Sequence, residues 1–369
     1  MLSTRRRRDN RTGHPYRGVM RHALLALSLA AALVAGPATA ADPPIPIKVV
    51  VVAAFEIGKD EGDLAGELQL WVERLPLPDV LPFPQGNHRL RYNPDLGVLA
   101  IVTGEGTAHA SASITGLGMD PRFDLSQAYW VVAGIAGGNP ERMSVGSAAW
   151  ARWVVDADLA YEIDAREIPA DWTTGYVPLG RTEPYQEPRP PTGATRSVFK
   201  LKESLVAWAF RETRNIRLAD DRALRRARRG YEDYPASQTP PRVMRGDTLS
   251  GSTFWTGKRL NRWAGRWVRY WTEGRGDFTT SAMEDTGTLT ALTQLARAGK
   301  VDRDRVLVLR AASNHTLPRR GETAAEHLAQ NADETSFSAY DAAIEAAYRV
   351  ASPVVRALAR GEGPADAPP

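Results

Sequence analysis

The sequence predicts an α/β domain with a largely parallel or mixed central sheet flanked by helices, and a helical insertion near residues 180–260. Three observations carry this expectation. The β-branched run Ile47-Lys48-Val49-Val50-Val51-Val52-Ala53-Ala54 has the composition of a strand buried on both faces. Apolar runs end in glycine-rich turns, at Thr103-Gly104-Glu105-Gly106 and Ala136-Gly137-Gly138-Asn139-Pro140. Helical segments alternate with these runs, the order that lays helices over a sheet. A chain of 369 residues, 43% apolar, is long enough for a sizeable core. No internal repeat is visible, and one domain is expected over residues 47–360.

Residues 1–40 read as a secretory signal peptide. Seven arginines (Arg5, Arg6, Arg7, Arg8, Arg11, Arg17 and Arg21) stand against one acid, Asp9. The apolar run Ala23 to Ala35 follows, then Gly36-Pro37 and the small residues of Ala38-Thr39-Ala40, the order of n-region, h-region and cleavage site. Such a run is shorter than the roughly 20 apolar residues that span a bilayer. Met20 offers an alternative start with a cleaner signal. The protein is expected to be exported, to a periplasm or the cell exterior. Residues 41–46 form a linker that consecutive prolines keep extended.

The first strand is Ile47 to Ala54 and the second Leu96 to Val102, followed by a small-residue helix over Ala108 to Leu117. A third strand runs from Ala128 to Ile135. Ser147 to Asp156 alternates enough to predict one less buried strand. Arg181 to Arg196 is a Pro-rich loop; amphipathic helices are expected over Phe199 to Arg214 and Ala219 to Tyr231. A helix over Thr286 to Ala298 leads to a last strand, Arg305 to Ala312. A C-terminal helix pair kinked near Pro353 occupies Ser336 to Arg360, and residues 361–369 form a disordered tail.

Composition narrows the chemistry. There is no cysteine, which excludes disulfides, thiolate metal sites and a Cys nucleophile. Only His88, His109, His315 and His327 follow the signal, at spacings that suggest no metal site, and no cofactor is expected. The formal charge of +4 belongs to the signal: residues 1–40 take seven of 47 basic and one of 43 acidic side chains, leaving 40 against 42, or −2. In Phe254 to Trp271, tryptophans and arginines interleave as in nucleobase-stacking surfaces, yet Trp263, Trp267, Tyr270 and Trp271 fall at i, i+4, i+7 and i+8, the buried stripe of a helix. Core packing is preferred, and no nucleic-acid partner is expected.

Three segments set polar groups directly after strands. Glu56 stands at the mouth of the first strand, as a general base or as a loop acid capping the next helix. Glu284 and Asp285 open a helix, where the macrodipole alone favours acids. Arg310 lies within a strand run, where an unpaired cation is costly, so a carboxylate partner is expected. The turns at Gly104–Gly106 and Gly137–Gly138 allow backbone N–H groups to approach a sugar or anion.

With TGEGTAHA (103–110), AGIAGGNP (133–140), the tract 246–289 and RAASNH (310–315), the mature chain resembles the purine nucleoside permease family. More distantly it is similar to the nucleoside phosphorylase/nucleosidase superfamily, in particular the methylthioadenosine/adenosylhomocysteine nucleosidases. Ala54-Phe55-Glu56 matches their Ala-Met-Glu segment, Met283-Glu284 their ribose-holding Met-Glu pair, and Arg310 to Asn314 their Arg-x-x-Ser-Asp segment, with Asn314 where those enzymes carry an aspartate. The resemblance implies a nucleoside phosphorylase-like fold and a purine nucleoside as ligand. It implies that Glu284 holds the ribose hydroxyls over Met283, that Glu56 and Arg310 position a nucleophilic water, and that Asn314 meets the purine edge. Gly104, Glu105, Gly106, Gly137, Gly138 and Ser313 complete the substrate-binding set. An amide at 314 both donates and accepts, which suits inosine or guanosine better than adenosine. Water is expected as co-substrate in preference to phosphate, which a carboxylate at the strand mouth repels. Superfamily analogy adds a homo-oligomer. The alternative is a non-catalytic binding component that serves a separate membrane transporter.

Overall fold

The computed structural model describes residues 42–190 and 197–364. The expected signal peptide, part of the Pro-rich loop and the last five residues of the expected tail lie outside the described residues. Elements follow in the order β1 (Ile45–Pro46), β2 (Val49–Ala53), α1 (Gln69–Arg74), β3 (Asp79–Leu81), β4 (Leu90–Asn93), β5 (Val98–Val102), α2 (Thr107–Gly118), β6 (Phe123–Asp124) and β7 (Tyr129–Gly138). Next come β8 (Ala148–Trp150), β9 (Trp153–Asp156), β10 (Ala160–Glu162), β11 (Tyr176–Pro178), β12 (Val198–Lys200), α3 (Glu203–Thr213), α4 (Arg222–Ala227), β13 (Val243–Arg245) and β14 (Asp247–Ser250). The chain continues through α5 (Lys258–Trp271), β15 (Phe278–Ala282), α6 (Asp285–Arg297), β16 (Val306–His315), α7 (Ala324–Gln330) and α8 (Tyr340–Ala359).

The expected mixed sheet is present, with helices packed against it. Among the described residues twelve strands join in one sheet, along the path β12-β9-β14-β15-β7-β2-β5-β4-β3, with β16 on β7 and β8, and β13 on β8. Its centre is parallel: β2 pairs with β5 and β7, and β16 pairs with β7. Every residue of β2 and β5 is buried, as a strand covered on both faces requires. Each valine so enclosed contributes about 1.5–3 kcal/mol.

One offset in this sheet prepares the site. β2 pairs with β7 only as far as Val132, whereas β7 runs on to Gly138 and there meets antiparallel β15. The edge of β7 between these partners opens a gap at the carboxyl end of the sheet, where open α/β sheets bind ligands.

Several elements differ from expectation. Gly137 and Gly138 are in β7, not in a turn, because both β15 and β16 offer them ladder partners. Ser147 to Asp156 forms two fully buried strands, β8 and β9. The break falls where Asp247 takes the backbone N–H groups of Arg152 and Trp153 at 3.0 and 2.9 Å. Strand β16 continues past Ala312 to His315, with a register shift between Ala312 and Asn314. The C-terminal pair is a single helix, α8, with Pro353 inside it. Val350, Ala351, Val354 and Val355 on either side of the proline are buried as α8 packs on β7 and β16.

In the 180–260 region, α3 and α4 are the expected helices, and β12, β13 and β14 from the same region join the central sheet. α4 is shorter than expected at both ends; its start is set by Asp221, which caps it through the Leu224 N–H at 2.9 Å. The tryptophan stripe is core: Trp263, Trp267, Tyr270 and Trp271 of α5 are buried while Arg262, Arg266 and Arg269 face outward.

Candidate functional site

A cleft of about 510 Å³, including its open mouth, lies beyond the carboxyl ends of β2, β7 and β16. Ala54, Phe55, Glu67, Glu105, Gly137, Met283, Glu284, Arg310, Ser313 and Asn314 line it, with Phe254 and Phe337. The two phenylalanine rings are nearly parallel, 18° apart in plane with centroids 6.3 Å apart. Distant segments thus converge on one place.

Arg310 is the centre of the polar network and is 2% exposed. Its Nη2 donates to Asp285 at 2.6 Å and Glu284 at 2.9 Å, its Nε to Asp285 at 3.1 Å, and its Nη1 to the Ile135 carbonyl at 3.1 Å. Glu67 stands 3.7 Å from Nη1. The carboxylate partner expected for Arg310 is therefore Asp285, with Glu284 beside it. Burial by itself would lower the Arg310 pKa, and Asp285, Glu284 and Glu67 together reverse this and raise it.

Glu67 was not singled out in the sequence, and it fills the gap in the sheet. Its two oxygens accept the Ala54 and Ile135 N–H groups, each at 2.6 Å, where β2 has ended and β7 still needs a partner. Burial pushes its carboxyl up to about 8; Arg310 opposes the shift and Glu284 adds to it. Close packing requires glycine alongside: a Cβ at Gly134 would lie 2.2 Å from Glu67 Oε1 and 2.6 Å from Arg310 Nη1. An acid just ahead of an apolar helix is the only sequence signal for Glu67, and that signal reads equally as a cap.

Glu56 is placed elsewhere. Its carboxylate accepts backbone N–H groups from Ile57, Gly66, Leu68 and Gln69 at 2.5–2.9 Å, and it does not line the cleft. The water-positioning role expected of Glu56 is corrected accordingly: its oxygens hold the loop that carries Glu67. This is a version of the loop-acid alternative.

Glu284 occupies the N-cap of α6 yet makes no capping bond with its side chain. It accepts from Gly106 N and Met283 N, both at 3.3 Å, and from Arg310. Burial raises its pKa, against Arg310 and with Asp285. Gly106, at φ 86°, brings its N–H to Glu284 from the N-terminus of α2. Gly104, at φ 82°, donates to the Ala54 carbonyl at 2.9 Å and fixes the turn. Glu105 between them is exposed at the mouth. Gly104, Gly106 and Gly138 do not line the cleft, whereas Gly137 does.

Ser313 Oγ donates to the Ala136 carbonyl at 3.3 Å. Asn314 is buried, its Nδ2 donates to Asn331 Oδ1 at 2.8 Å, and its Oδ1 has no partner. The amide at 314 thus has only its acceptor left, which corrects the expectation that it both donates and accepts. His315 points away from the cleft, with Nδ1 3.1 Å from the Gly138 carbonyl; burial lowers its pKa to about 4 and leaves it neutral.

The sequence model of the purine nucleoside permease (NUP) family matches residues 46–361. A purine nucleoside permease of Candida albicans is 28% identical over 290 residues, covering 78% of this chain and 69% of that protein. A probable purine nucleoside permease of Schizosaccharomyces pombe is 28% identical over 256 residues, covering 66% and 72%. Among solved structures, a 5′-methylthioadenosine/S-adenosylhomocysteine nucleosidase of Colwellia psychrerythraea in complex with adenine aligns at 18% identity and a TM-score of 0.49, over 85% of this chain and 95% of that one. The futalosine hydrolase of Helicobacter pylori aligns at 13% identity and a TM-score of 0.46, over 85% and 97%. With its family's sequence model matched across nearly the whole described chain, this protein belongs to the purine nucleoside permease family.

Proposed function

We propose that the cleft binds a purine nucleoside and that the protein cleaves its N-glycosidic bond. The observation that carries this reading is the buried cluster of Glu67, Glu284 and Arg310 on the cleft wall, joined there by Asn314, whose buried carbonyl has no partner. Glu284 accepts from the ribose hydroxyls above Met283. Asn314 meets the base, and Phe254 and Phe337 offer it apolar faces. As the bond to the base breaks, positive charge grows on the sugar, and carboxylates in a water-poor wall stabilise it. Water adds to the anomeric carbon and passes its proton to the ionised form of Glu67, a form that grows in population as the pH rises toward about 8.

Hydrolysis is preferred to phosphorolysis on electrostatic grounds. Glu67, Glu105 and Glu284 line the cleft, and Arg310, the cation among the described lining residues, is already bonded to Asp285 and Glu284. A phosphate there would face carboxylates. No acid stands at 314 to protonate a departing base, which favours 6-oxopurines, whose oxo group spreads the charge of the leaving anion. Inosine and guanosine are the substrates preferred over adenosine. The N-terminal 40 residues direct export. Among the described residues no helix is long and apolar enough to cross a membrane.

The test is to incubate the purified protein with inosine, guanosine and adenosine, with and without phosphate, and to measure free base. Base release without phosphate is the expected outcome, and release that depends on phosphate makes the protein a phosphorylase. Nucleoside binding with no base released assigns it instead as the binding component of an uptake system, a reading that the family's permease name favours.

A further inference from the structure

Asn314 lies 3% exposed just past the register shift in β16, and the orientation of its amide is imposed from outside the strand. The chain of contacts begins at the end of α7. There the His327 backbone carbonyl accepts from Asn331 Nδ2 at 2.6 Å. A carbonyl can only accept, so the amino end of Asn331 must face it and Oδ1 must point the other way. Asn331 Oδ1 in turn accepts from Asn314 Nδ2 at 2.8 Å. Turning over either amide alone would set two oxygens or two amino groups against each other, and turning over both would set Asn331 Oδ1 against the His327 carbonyl. Asn314 is therefore held with its amino end inward. Its Oδ1 is buried with no hydrogen-bond partner, on a residue of the cleft wall near Gly137, where an added Cβ would lie 3.5 Å from it. Ser313, the neighbouring hydroxyl, is turned to the Ala136 carbonyl.

We propose that Asn331 is a positioning residue that locks Asn314 as an acceptor only, so that the cleft selects bases presenting an N–H group at that point. This inference rests on nucleoside binding in the cleft, as proposed above. An exocyclic amino group or a ring N–H satisfies the Asn314 carbonyl; a base edge made of ring nitrogens without hydrogen leaves two acceptors opposed. A buried acceptor left unpaired on ligand binding weakens affinity by about 10- to 100-fold.

Calorimetric titration of the full chain with adenosine, inosine and purine riboside tests this, since the base of purine riboside carries no N–H. The wild-type protein is expected to bind purine riboside at least about 10-fold more weakly than the tighter of the other two. Asn331→Ala frees the Asn314 amide to turn and present Nδ2, and the gap is expected to close to about 3-fold or less, through tighter binding of purine riboside. Asn314→Leu, which removes the acceptor, closes the gap through weaker binding of the N–H ligands. Thermal melts of each variant establish that it is folded, and a change in the ratio between ligands is not produced by a uniform loss of stability. Equal wild-type affinities for the three ligands overturn the inference while leaving nucleoside binding intact. A gap that survives Asn331→Ala overturns the lock. Failure of all three to bind overturns the reading of the cleft itself, and the inference with it.

Discussion

At neutral pH Glu67 holds its proton in the folded protein, because burial outweighs the pull of Arg310 on its carboxyl. The folded state keeps this proton up to about pH 8, whereas an unfolded glutamate releases it near 4.5. Its contribution to stability is therefore full below pH 4.5 and is lost as the pH rises to about 8. Glu67→Gln lacks this dependence, so the variant is expected to gain stability relative to wild type between pH 5 and pH 9, measured by denaturant melts at both. In the base-release assay the same variant is expected to lose about 10²- to 10⁴-fold in rate with nucleoside affinity kept. The wild-type rate is expected to climb as Glu67 ionises toward pH 8; a rate flat from pH 6 to 9 removes Glu67 as the base. Arg310→Met leaves Asp285 and Glu284 buried without their cation and should cost about 3–5 kcal/mol of stability in urea. Arg310 and Glu284 could be singled out from a strand run and a helix start, whereas Met283, Ser313 and Asn314 were reached through the family resemblance. Glu67 could not, since its partners Ala54 and Ile135 are assigned by the ends of two strands, not by any local pattern.

Elements were legible where one face or both are apolar. β2, β5, α2, α6 and the stripe of α5 fall within a few residues of expectation. β14 (DTLS) and β15 (FTTSA) escaped it because their hydroxyls disguise buried strands. Those hydroxyls are satisfied by neighbours: Thr248 Oγ1 donates to the Thr280 carbonyl at 3.2 Å, and Ser250 Oγ takes the Thr286 N–H at 3.1 Å. Periodicity cannot show such pairing. Packing between α2 and α6 is equally specific, for a Cβ at Gly287 would lie 2.2 Å from the Thr107 carbonyl oxygen. Gly287→Ala is expected to push these helices apart, lowering stability by about 1–3 kcal/mol in a chemical melt. Because Gly106 at the start of α2 donates to Glu284, nucleoside affinity should fall with it in the same variant. Trp267→Ala, within the core of α5, should cost about 3–5 kcal/mol and leave the ligand preference unchanged.

For the whole molecule, the export proposed for the first forty residues carries a test in its charge. Their removal carries the formal charge from +4 to −2. N-terminal sequencing of protein recovered from outside the cytoplasm should begin near Ala41, and isoelectric focusing should place that protein below pH 7, far from the value of about 9.3 for the entire chain. An unprocessed chain confined to the cytoplasm would refute export. By itself the sequence determined the mixed α/β class, the buried stripes and the segments that bear polar groups, because periodicity, β-branching and glycine are local properties. Tertiary structure decided which acid lines the cleft. Glu56 and Glu67 share one loop and one side chain, yet backbone N–H groups claim the first, while the unequal lengths of β2 and β7 draw the second into the sheet beside Arg310. The polarity of Asn314 was decided the same way, by a helix-end carbonyl acting through Asn331. Both outcomes depend on where strands and helices end relative to one another, and that is fixed only when the sheet is assembled.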